Sequence, residues 1–252
     1  MSPRALAAAL AATLAVAASV LAAVAFADGS HASRPRLTVF AAASLTNVFP
    51  LIDSHVRYSF GGSNMLAAQI QQGLPADVFA SADRRLPWQL HRKGLVARPV
   101  VFTANKLVIV VAHGNPLHLH GVHDLERSGL KIVMAAAGVP VGDYTRIVLE
   151  RLGLSNLVDR AVAQETDVRV VLSQVALGEA DAGFVYATDA RTVTGKVGVI
   201  GLPKSAQPRV LYAAAAVKSS THLQAAKVWI QRLLTKRAQK KLRAAGFLPV
   251  PH

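Results

Sequence analysis

The chain has 252 residues, 52% of them hydrophobic, and no cysteine. That length supplies one large or two small packed domains. Without cysteine there is no disulfide framework, thiolate metal site, cysteine nucleophile or lipid-modified cysteine anchor. A formal charge of +14 points to anions or nucleic acid as partners, or to a basic surface.

The chain opens with Arg4 and then an uncharged run from Ala5 to Ala27, ending in "AFA" before Asp28. A positive start, an apolar stretch and an A-x-A site are the parts of a signal peptide, 1–27, cleaved after Ala27. An uncleaved anchor is the alternative, because the run is long enough to span a bilayer. Its alanine content makes it only weakly apolar. Both readings place the folded part in the periplasm or cell-envelope space, which argues against a nucleic-acid role.

From residue 36 onward apolar runs alternate with amphipathic ones. Strands are expected at 36–41, 56–60, 77–81, 107–112, 131–135, 182–186, 197–201 and 209–216. Helices are expected at 45–54, 64–72, 84–93, 143–152, 168–178 and 221–244. This alternation implies an α/β fold, mainly parallel in its sheets and flanked by helices. "ARPVVFTANKLVIVV" sets two strand-like runs back to back around Thr103–Lys106, and "GLPKSAQPRVLYAAAAV" repeats the device later. The chain then divides into lobe I (36–103 plus 210–252) and lobe II (104–209), with hinge crossings near 103–106 and 203–209. Ligands of such folds bind in the cleft, at the carboxyl ends of strands. In the last helical stretch Trp229, Ile230, Leu233, Leu234 and Leu242 are expected inward and the basic run Lys227 to Arg243 outward, as a solvated face.

Four places share one pattern, a strand or loop, a small or polar residue, then a helix start: "AAASLTN", "FGGSNML", "VPVGDY" and "ETDVRVV". Gly61 and Gly62 permit close backbone approach. Gly142 and Asp143 open the third helix, and Thr166 or Asp167 caps the fourth. Each helix start offers unpaired N–H groups and about half a positive charge. Four such starts around one cleft would suit a desolvated dianion held by neutral donors. Taken alone, Ser44 and Ser63 read equally well as helix caps.

"TVFAAASLTN", "SFGGSNMLAAQIQQGLPADVFASAD", "GVPVGDY", "DVRVVLSQVALGEADAGFVYATDA" and the terminal "AAGFLP" together resemble the periplasmic molybdate-binding proteins of ABC transporters. The resemblance runs from about residue 36 to 250. It implies a two-lobed periplasmic binding protein (type II) fold, with mixed sheets flanked by helices and the oxyanion in the cleft between lobes, no catalysis, no cofactor, and a membrane permease as partner of a monomeric protein. It also implies five molybdate ligands. Ser44 and Ser63 would donate hydroxyl and backbone N–H groups, Val141 and Val168 backbone N–H groups, and Tyr186 its phenolic O–H. Molybdenum would be bound only as the oxyanion, through these residues. Valine stands at 141 where alanine is familiar, "FGGSN" has glycines where serines are common, and Pro50 falls inside the expected first helix.

Several rivals remain on the sequence. A serine hydrolase lacks a G-x-S-x-G elbow around Ser44 or Ser63. His118, His120 and His123 in "HGNPLHLHGVH" have metal-like spacing, with Asp124 the one nearby carboxylate; a solvated loop is the simpler reading. No P-loop or dinucleotide fingerprint is present. Among oxyanions, a donor-only site should accept molybdate and tungstate alike, take sulfate weakly, and reject phosphate, whose proton needs an acceptor.

Overall fold

A computed structural model describes residues 35–250; the expected signal peptide and its cleavage site lie outside them. Strands form where β-branched and apolar residues run together, buried on both faces. β1 (Thr38–Ala42), β2 (Arg57–Gly61), β3 (Val78–Ser81) and β4 (Val100–Asn105) alternate with helices, followed by β5 (Leu107–Ala112), β6 (Ile132–Ala135), β7 (Ala163–Glu165), β8 (Ala182–Tyr186), β9 (Val197–Gly201) and β10 (Val210–Ala216). They make two five-stranded sheets, ordered β2-β1-β3-β10-β4 and β7-β6-β8-β5-β9.

Each sheet is mixed, as the resemblance implies, and not mainly parallel as the alternation alone suggests. β10 runs antiparallel to β3 and β4, and β5 runs antiparallel to β8 and β9, while β1, β2 and β3 are mutually parallel, as are β6, β7 and β8. The odd strand in each case is the one that enters the sheet after a crossing. A chain arriving from the other sheet comes in at the opposite end, so its direction is reversed. The crossings are short: β4 ends at Asn105 and β5 starts at Leu107, and the return runs from Gly201 to Val210.

The helices are α1 (Phe49–Ile52), α2 (Ser63–Gln71), α3 (Arg85–Arg92), α4 (Pro140–Arg151), α5 (Val168–Ala176), α6 (Ala187–Arg191), α7 (Leu223–Leu233) and α8 (Lys236–Ala244). The helix expected at 45–54 is instead a 3-10 turn (Ala43–Leu45) followed by one turn of α1, with Pro50 at its start. Proline lacks the N–H a longer helix would need there. The helix expected at 221–244 is two, because Thr235 leaves helical geometry and caps α8 with its hydroxyl, accepting from the Ala238 N–H. The break turns Leu234 outward, to 43% exposure, while Trp229, Ile230, Leu233 and Leu242 stay buried. Lys227, Lys236, Arg237, Lys240 and Arg243 face solvent.

Aromatic rings carry the core of the first sheet toward the second. Phe49 packs edge-on to Trp229 at 5.5 Å between centroids and tilted on Phe102 at 5.9 Å. Phe102 meets Tyr212 at 6.3 Å, and Tyr212 meets Tyr186 of β8 at 5.8 Å. Such pairs add about 0.5–1.5 kcal/mol each beyond burial, and here they hold two phenols in place at the junction. No helix among the described residues is long and apolar enough to cross a membrane.

Candidate functional site

The carboxyl ends of β1, β2, β6 and β8 open onto one small cavity, about 210 Å³ of empty space including its mouth. It is lined by Ser44, Ser63, Val141, Val168 and Tyr186, by alanines and glycines between them, and by Val139, Pro140 and Asp167. All five residues expected from the sequence are therefore brought together. None of the lining residues is a cation, so positive charge there comes from backbone dipoles.

The first wall supplies hydroxyls. β1 ends at Ala42 and the 3-10 turn presents Ser44, 3% exposed. β2 ends at Gly61, Gly62 is the N-cap of α2, and Ser63 is its first helical residue. Neither serine is a cap, since no side-chain capping bond is made at either turn. Instead the Ser63 hydroxyl oxygen accepts the Ala82 N–H at 3.1 Å, and the Ser44 oxygen lies 2.9 Å from the Tyr212 hydroxyl.

The second wall supplies main-chain amides. α4 starts at Pro140, two residues before the Gly142 expected. Proline has no N–H, so the first amide of that helix is Val141, and a first-turn amide has no partner within its helix. Thr166 does not cap α5; Asp167 does, its carboxylate accepting the Arg169 and Val170 N–H groups at 2.7 and 3.3 Å. That leaves the Val168 amide, at the first helical position, without an intrahelical partner. The one carboxylate at the cavity thus binds its own helix through Oδ1.

Tyr186 ends β8, is 1% exposed, and its hydroxyl has no hydrogen-bond partner among the described residues. Burial drives its phenol well above the usual value, so it stays a donor. A buried hydroxyl without a partner costs about 1–3 kcal/mol, and an acceptor in the cavity would remove that cost.

The walls meet closely. A Cβ on Gly62 would lie 2.3 Å from the Thr166 carbonyl oxygen of the opposite wall, so only glycine permits this approach. At the rim, Arg85 of α3 donates to Asp143 of α4 at 2.6 Å. Behind the second wall, Arg169 Nε lies 2.7 Å from Asp189 Oδ1 of α6, yet neither atom makes a well-angled hydrogen bond. Burial pushes the Asp189 carboxyl up to about 6, against the pull of Arg169.

Sequence reasoning missed three groups. Asn105 and Tyr212 stand behind Ser44, and Arg85 closes the rim on Asp143. The signals were a polar residue inside the run around Thr103–Lys106 and a lone tyrosine in "VLYAAAAV". The histidines do not gather: no group of three His, Asp or Glu able to hold a metal occurs among the described residues. Asp77, Ser220 and His222 do cluster, but the aspartate sits in the middle, bonding Ser220 at 2.5 Å and His222 at 3.3 Å. A hydrolytic triad needs histidine between the other two.

Residues 37–248 match the family model for bacterial extracellular solute-binding proteins. A molybdate-binding protein of Mycobacterium tuberculosis is 36% identical over 221 residues, covering 84% of this chain and 84% of that protein. Its counterpart in Escherichia coli is 31% identical over 210 residues, covering 77% and 82%. The structure of the periplasmic molybdate-binding protein of Azotobacter vinelandii superposes with a TM-score of 0.76 at 25% identity, covering 86% of this chain and all of that one. With two mixed sheets, a cleft between them and relatives of this kind, the chain belongs to the bacterial extracellular solute-binding proteins, in the two-lobed type II fold.

Proposed function

We propose that this protein captures molybdate, and tungstate equally, outside the cytoplasmic membrane and delivers it unchanged to an ABC-transporter permease. Ser44 and Ser63 would donate hydroxyl and amide hydrogens, Val141 and Val168 their amides, and Tyr186 its hydroxyl. One observation carries this reading: converging N–H and O–H donors, with no cation among the lining residues and one carboxylate that caps its own helix, surround a buried phenol that lacks an acceptor. A fully deprotonated tetrahedral dianion satisfies such a set. The relatives bearing molybdate-binding names support the choice of ion.

Sulfate has the same shape and charge and is the second reading. Size separates the ions, because a cavity bounded by backbone at Ala42, Ala43, Gly61 and Gly62 cannot shrink onto a smaller one. Isothermal titration with molybdate, tungstate, sulfate and phosphate near neutral pH tests this. Molybdate and tungstate should bind alike, sulfate weakly and phosphate hardly at all; sulfate as the tightest ligand would replace molybdate in this account.

The two lobes, 36–103 with 210–252 and 104–209, would move about the crossings near 103–106 and 203–209, as a monomer. The shortness of the Asn105–Leu107 passage supports a hinge there. Small-angle scattering should show compaction on adding molybdate, and unchanged curves at saturation would remove the closure. Export with cleavage after Ala27 is part of the same proposal, checked by N-terminal sequencing of the secreted protein.

A further inference from the structure

Behind Ser44 lies a hydrogen-bonded chain that only one arrangement of protons satisfies. Asn105 Oδ1 accepts the Lys106 N–H at 2.9 Å, which fixes the amide orientation. Its Nδ2 then donates to Thr188 Oγ1 at 2.8 Å and to Tyr212 Oη at 3.3 Å. Tyr212, fully buried, receives that proton and must place its own. Its other partner is Ser44 Oγ at 2.9 Å. If Ser44 donated to Tyr212 instead, the phenol proton would be left buried with no acceptor, which costs more than the bond gains. The direction is therefore Asn105 to Tyr212 to Ser44, and the serine proton is released toward the cavity.

We propose that Tyr212 and Asn105 are positioning residues that hold Ser44 as a donor and thereby exclude protonated oxyanions such as hydrogen phosphate. The inference rests on the proposed oxyanion site and deepens it. The chemistry is a matter of lone pairs. With its proton aimed forward and one of its two lone pairs taken from behind, the serine oxygen is left a poorer acceptor for an incoming P–O–H. Ser63 is set in the same way, since its oxygen accepts the Ala82 N–H. Val141 and Val168 offer only N–H groups, and the Asp167 carboxylate at the cavity is engaged by its own helix through Oδ1, so a ligand hydroxyl meets donors at all five proposed positions. Removing the phenolic oxygen behind Ser44 would free one acceptor.

The test is the ratio of affinities in the purified protein at pH 8, where phosphate is mostly singly protonated. Molybdate, sulfate and inorganic phosphate are titrated against the parent, Tyr212→Phe, Ser44→Ala and the double variant. Tyr212→Phe keeps the ring and its packing. It should narrow the molybdate-to-phosphate ratio about tenfold, one hydrogen bond's worth, and leave the molybdate-to-sulfate ratio unchanged. A general loosening of the site would move both ratios together. In the Ser44→Ala background Tyr212→Phe should change neither ratio, since it acts through that serine. Asn105→Asp gives a second reading should Tyr212→Phe not fold: its carboxylate would take the Tyr212 proton and free Ser44, narrowing the phosphate ratio again. Added charge would weaken all the dianions alike. An unchanged phosphate ratio in the folded variants overturns the inference. A parent protein that binds none of these ions overturns the proposed function instead.

Discussion

The two walls of the cavity stand on sheets with the same strand order, one antiparallel strand in each, yet they offer their donors differently. In the first wall Ser44 and Ser63 present side chains, each backed by a second donor. In the second, α4 and α5 present the main-chain amides of Val141 and Val168. A side-chain donor can be lost by replacing one atom. A main-chain donor survives nearly any substitution, provided that the helix still starts at the same residue. The first wall should therefore be chemically fragile, and the second sensitive only to changes of backbone.

The largest effect should come from stopping the walls from meeting. Gly62 has φ −59° and ψ 131°, a conformation open to any residue, so Gly62→Val should leave the first lobe folded. Its Cβ, however, would press on the Thr166 carbonyl of the other wall. Overpacking of this kind costs about 1–3 kcal/mol, and a β-branched side chain belongs at the upper end. Molybdate affinity should fall about 100-fold with an unchanged melting temperature in the ligand-free protein; retained affinity would mean that the walls need not approach this closely.

Next comes the contrast between walls. Ser44→Ala and Ser63→Ala each remove a hydrogen bond to a charged group, about 1.5–3 kcal/mol, so binding should weaken roughly 10- to 100-fold. Val168→Ala should change affinity less than about twofold, whereas Val168→Pro should weaken it about tenfold, because proline deletes the N–H at the first helical position without breaking the helix. Asp167 already has the extended backbone (φ −158°, ψ 172°) that precedes proline comfortably. Calorimetry on these four proteins decides it, and equal losses for Val168→Ala and Val168→Pro would refute the amide's role.

A smaller effect belongs to the rim. Arg85 and Asp143 are 46% and 31% exposed, and pairs of this kind contribute about 0–1 kcal/mol. Arg85→Ala should weaken molybdate binding by up to about fivefold at low salt and by nothing near 1 M salt. A loss that persists in salt would show that Arg85 does something other than pair.

The smallest effect concerns stability and pH. Asp189 is an acid whose value in the folded protein, about 6, lies above its unfolded value of about 3.9. Protonated in both states, it costs nothing below about pH 4; its cost grows between about pH 4 and 6, where only the unfolded state has ionised, and levels off above that. In thermal melts, the stability of Asp189→Asn relative to the parent should therefore rise between pH 4 and 7. Parallel pH curves would show that Arg169 compensates the charge fully.

The strands were legible because most are buried on both faces, which writes them as continuous apolar runs. β7 was not: its three residues, Ala-Gln-Glu, are half-exposed at a sheet edge and carry no apolar signal. Apart from the one expected at 45–54, helix starts were legible to within three residues, the widest miss being Pro140 against an expected 143. The error at 45–54 came from giving periodicity more weight than Pro50. Ser44, Ser63, Val141 and Val168 could be reached from local pattern, since each sits at a helix start. Tyr186 came only from resemblance, because a tyrosine ending a strand carries no local mark of function. Asn105 and Tyr212 touch Ser44 across long stretches of chain, and such pairs exist only once both crossings have been made.

The basic surface and the cation-free cavity divide the work of binding in time. Exposed lysines and arginines such as those of α7 and α8 reach an anion through a field that extends about a Debye length into solvent. The donors in the cavity are neutral and act only at contact. On the proposed function, ionic strength then governs how fast an oxyanion arrives, and the rate at which it leaves is set by hydrogen bonds that salt does not screen.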